Sequence, residues 1–192
     1  MNLTAVDDNS RMFTIVGGAQ SEWVVTSQHT ISGECWPTVE RVSMIPGSAN
    51  GIRSNSVWEL SGVTTNDRYT TRFEKEQLVA KQAPVGRSES TRAALLLLRK
   101  SVEWWALSQD ERRHILEEES HHIAIGSEYL PAVSRRLMHC RDLANNAPFD
   151  FLGFLDFTPH DETAFDELLT RLRATQEWRF IDREIDLRLA RK

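Results

Sequence analysis

The spacing of apolar residues changes several times along the chain, and each change predicts a different element. Residues 24–33 and 57–70 are rich in β-branched and aromatic side chains, which is typical of strands. Residues 45–55 are rich in Pro, Gly, Ser and Asn, which predicts a loop. From Ser88 onward the pattern becomes helical, and residues 93–98 are apolar all round. We therefore expect a buried helix there.

A second helix is predicted to begin at Ser108. Ser108 and Glu111 have the spacing of a capping box, in which the hydroxyl accepts one free backbone N–H group and the carboxylate accepts another. We expect this helix to run towards His121 and His122.

The last third of the chain has the clearest periodicity. Alternate residues should share one strand face: Phe149, Phe151, Gly153, Leu155 and Phe157. The next apolar residues follow helical spacing: Phe165, Leu168, Leu169 and Leu172. Apolar and charged residues then alternate over 181–189, which predicts a strand with Glu184 and Asp186 on a solvent-exposed face. This order predicts an α+β fold with helices against a largely antiparallel sheet.

Composition and charge narrow the possible partners. The 192 residues are 40% hydrophobic and 27% charged, as in a globular protein with one large domain or two small fused ones. The net charge of −5 and the lack of a basic stripe argue against nucleic acid as a partner. Any chemistry on an anion must then rest on a positive group inside a pocket.

Cellular location follows from what the sequence lacks. Cys35 and Cys140 are too few and too far apart for a disulfide framework or a zinc cage, so we expect two reduced thiols. The N-terminal residues show no signal-peptide pattern, and the longest apolar run is too short to cross a bilayer. The sequence therefore predicts a cytoplasmic protein with no membrane partner.

The pair His121 and His122 is the main candidate for chemistry, although a surface position explains a histidine equally well. A zinc site lacks an H-E-x-x-H motif and a nearby cysteine. A di-iron site is excluded because the overlapping Glu118-x-x-His121 and Glu119-x-x-His122 motifs lie on one helix. An axial ligand to haem iron needs only one imidazole and an acceptor that orients it. Spacing alone does not select this option.

Several long motifs carry a family resemblance. They are GVTTNDRYTT, KQAPVGRSESTRAALL, RKSVEWWALSQDERR, SHHIAIGSEYLPAVSRRLMHCRDL, PFDFL and RATQEW. In this order and at this spacing the chain resembles the chlorite dismutase family over roughly residues 57–190, and most closely its short, dimeric branch. The resemblance implies two ferredoxin-like units that form a β-barrel with helices outside, the dimeric α+β barrel type. The first unit would cover residues 1–92 and would be shortened, and the second would cover residues 93–192 and bind haem. The resemblance also implies a homodimer.

The resemblance also implies the roles of individual residues. His122 falls on the proximal ligand of haem iron, and Arg135, thirteen residues later, falls on the distal arginine. His121 would place Ser134 at the distal position, so His122 is the better match. Glu177 falls on the glutamate that accepts a hydrogen bond from the proximal imidazole. Taken singly, Arg135 could equally form a surface ion pair and Glu177 could end a solvated helix.

Further positions match the family's haem environment. Lys100 falls on a contact to a haem propionate, with Asn66, Arg68 and Tyr69 as further candidates. Two other residues also match: Trp104, which falls against the haem edge, and Gln82, which falls on a glutamine that in close relatives hydrogen-bonds the distal arginine. Core packing is the alternative role for the tryptophan.

The match departs from the family on the distal side. Gly153 and Leu155 stand where the family usually carries a threonine and a phenylalanine, and smaller side chains there leave more room above the iron. The resemblance implies a haem b enzyme that decomposes chlorite to chloride and dioxygen. A related haem peroxidase with an enlarged distal pocket and a non-catalytic haem-binding protein remain alternatives. Coproheme decarboxylases lack a residue that matches Arg135.

Overall fold

The computed structural model describes residues 11–47, 56–65, 67–144 and 146–192. Within this part of the chain, eight strands form one closed barrel. The strands are β1 (Met12–Gly18), β2 (Trp23–Ser32), β3 (Arg41–Pro46), β4 (Ser56–Thr64), β5 (Arg92–Lys100), β6 (Ser134–His139), β7 (Phe151–Phe157) and β8 (Ile181–Ala190).

The helices lie mainly between the later strands. The α-helices are α1 (Arg72–Lys81), α2 (Val102–Ala106), α3 (Gln109–Arg113), α4 (His122–Glu128) and α5 (Glu162–Arg173). A π-helical segment, His114–Glu119, connects α3 to α4. Short 3-10 helices cover Arg141–Leu143, Pro159–Asp161 and Glu177–Phe180. None of the helices in the described residues is long and apolar enough to cross a membrane.

The order of strands around the barrel is β1-β3-β2-β8-β5-β7-β6-β4, and the neighbouring strands are antiparallel. The first four strands and the last four meet at β2–β8 and at β4–β6, where they close the barrel. The sequence-based prediction of an α+β barrel with helices outside is confirmed. The boundary predicted between 92 and 93 falls at the first residues of β5.

The predicted helix over residues 93–98 is wrong, because this segment is the centre of β5. Alternate residues Ala93, Leu95 and Leu97 belong to the core inside the barrel. Ala94 and Leu96 belong to a second core, between the outer face of the barrel and α5. A strand that is buried on both faces is apolar at every position, and its pattern cannot be distinguished from that of a buried helix.

The prediction that β8 has a solvent-exposed face is also wrong. Glu184 and Asp186 are buried, and Arg173 on α5 donates hydrogen bonds to both carboxylates at 2.5–3.0 Å. The indole N–H of Trp178 donates to Glu184 at 2.8 Å. Because α5 covers this face, alternation of charge marks a buried ion-pair network here rather than contact with water.

Several element boundaries differ from those that the pattern predicts. The strand expected over 57–70 ends at Thr64, and a turn follows. The loop expected over 45–55 begins later, because β3 continues to Pro46; residues 48–55 lie outside the described part. Phe149 precedes β7 and packs inside the barrel, so it does not share the face of Phe151. The capping box of Ser108 and Glu111 is confirmed, although α3 ends at Arg113.

Candidate functional site

A cleft opens between the outer face of the barrel and the helices that cover it. It contains about 1050 Å³ of space, including its open mouth. Strands β5, β6 and β7 form one wall, and α4, α5 and the 3-10 helix at Glu177 form the other. Its lining includes nine of the residues that the sequence singles out: Arg68, Tyr69, Lys100, Trp104, His122, Arg135, Gly153, Leu155 and Glu177. The remaining lining is largely apolar.

His122 is the first residue of α4 and is held by a buried carboxylate. Its Nδ1 atom lies 3.2 Å from Oε2 of Glu177. The Nε2 atom, on the other side of the ring, has no hydrogen-bond partner in the described residues, and the side chain lines the cleft. An imidazole with its Nδ1 fixed by a carboxylate is the usual arrangement for a metal ligand. The glutamate is positioned in turn by Ser120, whose hydroxyl accepts its backbone N–H at 2.9 Å.

Lys100 is the second partner of Glu177. Its ammonium group forms an ion pair with Oε1 and donates a hydrogen bond to the backbone carbonyl of the same residue at 3.1 Å. Burial by itself raises the pKa of Glu177, but the charges of Lys100 and His122 outweigh it and lower that pKa to about 2. Burial also lowers the pKa of Lys100. The partner of Lys100 is therefore a carboxylate of the protein, whereas the resemblance implies a haem propionate.

Arg135 lies on the facing wall, on β6. Only 8% of the residue is exposed, and its Nε atom has no hydrogen-bond partner in the described residues. No carboxylate in the described ranges forms an ion pair with it. Burial alone lowers the pKa of the guanidinium to about 10, so it stays charged at neutral pH. A buried cation without a counter-ion is costly unless an anion binds beside it.

Two neighbours determine where Arg135 can lie. A Cβ atom on Gly126 would overlap Nη1 of the guanidinium, so glycine at this position of α4 makes room for it. Gln82 donates from its side-chain amide to the backbone carbonyl of Arg135 at 3.1 Å. Gln82 thus contacts the main chain of Arg135, whereas the resemblance implies a hydrogen bond to the guanidinium. Gln82 does not line the cleft.

The other predicted haem contacts lie near the mouth and edge of the cleft. Tyr69 has a positive φ of 64°, which is unusual for a bulky residue. Its ring meets Trp104 edge-on at 6.3 Å. The Tyr69 hydroxyl and the Trp104 indole N–H are buried without partners in the described residues. Arg68 lies 3.4 Å from Nδ1 of His139. Asn66 lies outside the described residues.

Gly153 and Leu155 both point from β7 into the cleft, as their spacing predicts. Leu155 stands directly opposite Arg135 in the register of β6 and β7. A Cβ atom on Gly153 would meet its nearest neighbours at 3.5–3.7 Å, which is ordinary contact. This part of the wall therefore accommodates a Cβ atom at position 153 without displacing its neighbours.

The sequence does not single out Gly126 or Ser120. A glycine or a serine near a helical pattern has no distinctive spacing, and their importance follows from neighbours that are distant in sequence. The close approach of Gly126 to Arg135 is visible only in three dimensions.

Haem is a group that these residues fit. The apolar lining suits a porphyrin, and the oriented imidazole of His122 suits its iron. The unpartnered donors of Tyr69 and Trp104 suit carboxylate groups at the porphyrin edge. Arg135, which lines the same cleft, would be available to bind an anion beside such a group.

Comparison with known proteins gives the following similarities. Residues 43–192 match the family model described as chlorite dismutase. The crystal structure of dimeric chlorite dismutases from Nitrobacter winogradskyi is 42% identical, with 93% of this chain and 99% of that chain covered and a TM-score of 0.84. Chlorite dismutase from Candidatus Nitrospira defluvii in complex with imidazole is 17% identical, with 95% and 92% covered and a TM-score of 0.65, which shows likeness of fold alone. The search of curated proteins found no match.

Proposed function

Since the chain belongs to the chlorite dismutase family, we propose that it is a haem b enzyme that decomposes chlorite to chloride and dioxygen. The observation that carries this proposal is the presence of His122 on one wall of the cleft and, on the other, of the buried guanidinium of Arg135, whose Nε atom has no partner in the described residues. By analogy with the dimeric relative, we propose that it works as a homodimer. We also propose that the chain consists of two ferredoxin-like units, 1–92 and 93–192, and that the second unit binds the haem.

The haem contacts follow from the unsatisfied groups of the cleft. His122 would ligate the iron through Nε2. Tyr69 and Trp104 would donate hydrogen bonds to the propionates, since their polar hydrogens have no partner in the described residues. Arg68 would add a positive charge at the mouth of the cleft. Asn66 enters this set through the resemblance alone.

Bound haem would supply the iron centre at which the oxygen atoms of chlorite are rearranged. On the proximal side, the Nδ1–H group of His122 donates to Glu177. Because the pKa of Glu177 is held at about 2, this acceptor is ionised throughout the neutral range. A hydrogen bond to a carboxylate makes the imidazole a stronger electron donor. Lys100 acts indirectly, because it keeps the glutamate charged and in place.

On the distal side, Arg135 would bind the anion. Its guanidinium offers several donors in a plane, which suits the oxygen atoms of chlorite. Its attraction for an anion is stronger inside the cleft than at the surface, because the cleft excludes much of the water. Gln82 would fix the backbone of β6 at this residue through its hydrogen bond to the carbonyl group.

The space beside Gly153 and Leu155 favours a second candidate, a related haem peroxidase. Both residues are smaller than the family's usual threonine and phenylalanine and lie on the same face of β7 as the anion site. More room there would admit larger reducing substrates or additional water.

The two functions are separated by one assay. The protein is loaded with ferric haem and mixed with chlorite in an oxygen-electrode cell, and in parallel with peroxide and a dye. We expect rapid release of dioxygen from chlorite in the wild-type protein and none in His122→Ala, which should fail to retain haem. Dye oxidation without dioxygen release would support the peroxidase instead. A protein that takes up no haem would refute both.

A further inference from the structure

The chain reaches His122 through an unusual connection. The π-helical segment His114–Glu119 ends just before it, and His121 has a left-handed conformation with φ of 52°. Such a φ is uncommon for residues other than glycine. π-Helical turns within longer helices often lie at functional sites. The connection therefore needs interactions that hold it in place.

Helix α4 lacks a cap from its own N-terminal neighbour. His121 occupies the N-cap position, and its exposed side chain makes no capping hydrogen bond. The first backbone N–H groups of a helix have no partner within the helix, and a side-chain oxygen normally satisfies one or two of them.

Glu117 supplies that cap from the preceding segment. Its carboxylate accepts the backbone N–H of Ile123 at 2.6 Å and that of Ala124 at 3.2 Å. These are the second and third residues of α4, directly after His122. Both oxygens of one carboxylate are thus used, and a negative charge stands at the positive end of the helix.

The π-helical turn brings Glu117 into this position. Its own backbone carbonyl accepts the N–H groups of Ser120 and His121. The chain therefore folds back on this residue immediately before α4. Its main chain and its side chain together fix both ends of the connection that leads to His122.

The same connection also holds the acceptor of the imidazole. Ser120 lies between Glu117 and His122, and its hydroxyl accepts the backbone N–H of Glu177. A single segment thus sets the start of α4 and the position of Glu177 relative to it. Movement of this segment would change the contact of 3.2 Å between Nδ1 of His122 and Oε2 of Glu177.

We propose that Glu117 is a positioning residue that directs the His122 imidazole towards Glu177 by capping α4 from outside the helix. Glu117 is not among the residues that line the cleft, so it would act through His122. The consequence for haem iron rests on the proposed function, whereas the orientation of the imidazole does not.

The first test uses the haem-free protein. In Glu117→Ala we expect the amide hydrogens of Ile123 and Ala124 to exchange about tenfold faster or more, because each loses a bond to a charged acceptor. The Nδ1–H signal of His122 in nuclear magnetic resonance spectra should weaken through exchange with water. Glu117→Gln, which keeps one accepting oxygen, should lie between Glu117→Ala and wild type. The matched control is Glu119→Ala, which removes an exposed carboxylate of the same segment whose ion-pair partner in the described residues is His114.

The second test measures the Fe(III)/Fe(II) midpoint potential of the haem-loaded variants. Glu117→Ala should shift it upward, in the same direction as Glu177→Gln, and the double variant should not exceed Glu177→Gln alone, because both changes act on the same hydrogen bond. An unchanged His122 signal in Glu117→Ala, or fully additive shifts of potential, would overturn the proposal. If the wild-type protein took up no haem, the proposed function would fail, and the haem-free test would still decide the role of Glu117.

Discussion

The two walls of the cleft differ in whether their buried charged groups are paired. On the helical wall, Glu177 is shared by His122 and by Lys100, which reaches it from the end of β5, so these three charged groups pair with one another. On the barrel wall, Arg135 is almost as deeply buried and has neither an ion pair nor a partner for its Nε atom in the described residues. The first arrangement holds a side chain in one orientation. The second leaves a positive charge ready for a ligand.

This difference indicates which charged groups stabilise the fold and which are available to bind an anion. Removing a partner from the helical wall should destabilise the fold. Removing the guanidinium should spare the fold and abolish anion chemistry, because no carboxylate in the described residues forms an ion pair with it. The following variants test that division.

Lys100→Met should have the largest effect on stability. It leaves the buried Glu177 carboxylate with His122 as its remaining partner in the described residues, and breaking a buried ion pair costs about 3–5 kcal/mol. We expect the free energy of unfolding of the haem-free protein, measured with urea, to fall by about that amount. Lys75→Met is the matched control, since its pair with Asp67 is 56% and 47% exposed, and it should cost less than about 1 kcal/mol. Equal losses in the two variants would argue against a structural role for the helical wall.

Arg135→Ala should have the largest effect on catalysis. We expect kcat/KM for chlorite to fall about 100- to 1000-fold, as when a preorganised donor is removed from an active site. Haem uptake and the free energy of unfolding should change little. Arg136→Ala serves as control, because the neighbouring guanidinium lies over Phe13 at 4.1 Å rather than in the cleft. Retention of most activity in Arg135→Ala would contradict the assignment of Arg135 as the anion-binding residue.

Acid should weaken the helical wall in a defined pH range. The pKa of Glu177 is lowered from 4.5 to about 2, so its ionised form contributes stability above pH 4.5 that is lost as the pH falls towards 2. The contribution is about 3 kcal/mol. We expect the difference in unfolding free energy between wild type and Lys100→Met to shrink over this range. A difference that does not vary with pH would speak against an ionised pair.

Gly126→Ala should disturb the barrel wall without destabilising the protein. The added methyl group would overlap Nη1 of Arg135 and displace the guanidinium. We expect kcat/KM for chlorite to fall about tenfold, since small displacements of a positioned group are costly. Helix α4 itself should be no less stable, because alanine favours helix over glycine. Ser127→Ala, one position further, should keep full activity; equal activity in both variants would exclude steric control by Gly126.

Filling the space beside Arg135 should have the smallest effect on rate. Gly153→Thr combined with Leu155→Phe restores bulk on the distal face, and the ordinary contacts around Gly153 leave room for a Cβ atom. We expect more turnovers before the haem bleaches, because reactive anions escape less easily. The count of chlorite molecules consumed per haem measures this. An unchanged count would remove the idea that the enlarged pocket limits the enzyme.

The sequence predicts the class of fold better than its individual elements. Strong periodicity locates α5, because one of its faces lies in a core and the other is exposed. It fails for β5, whose faces are both buried, and for β8, whose charged face is covered by α5. In these strands, burial is decided by residues distant in sequence, and local alternation carries no information about them.

The candidate site shows the same limit. The family resemblance singles out His122, Arg135 and Glu177, and the structure brings all three to one cleft. Spacing does not predict that Lys100 pairs with Glu177, or that Gln82 binds a backbone carbonyl. Nor does it indicate the cap that Glu117 provides, which depends on a π-helical turn. Partners of side chains are set by three-dimensional packing.

The most direct test of an anion site facing His122 is the affinity of the ferric, haem-loaded protein for fluoride, measured by absorbance in wild type and Arg135→Gln. Fluoride binds the iron without turnover, and a hydrogen bond from a charged donor contributes about 1.5–3 kcal/mol. We predict that the Kd for fluoride rises about tenfold or more in Arg135→Gln. An equal Kd in the two proteins would show that the guanidinium does not face the ligand of the iron, and would contradict the account.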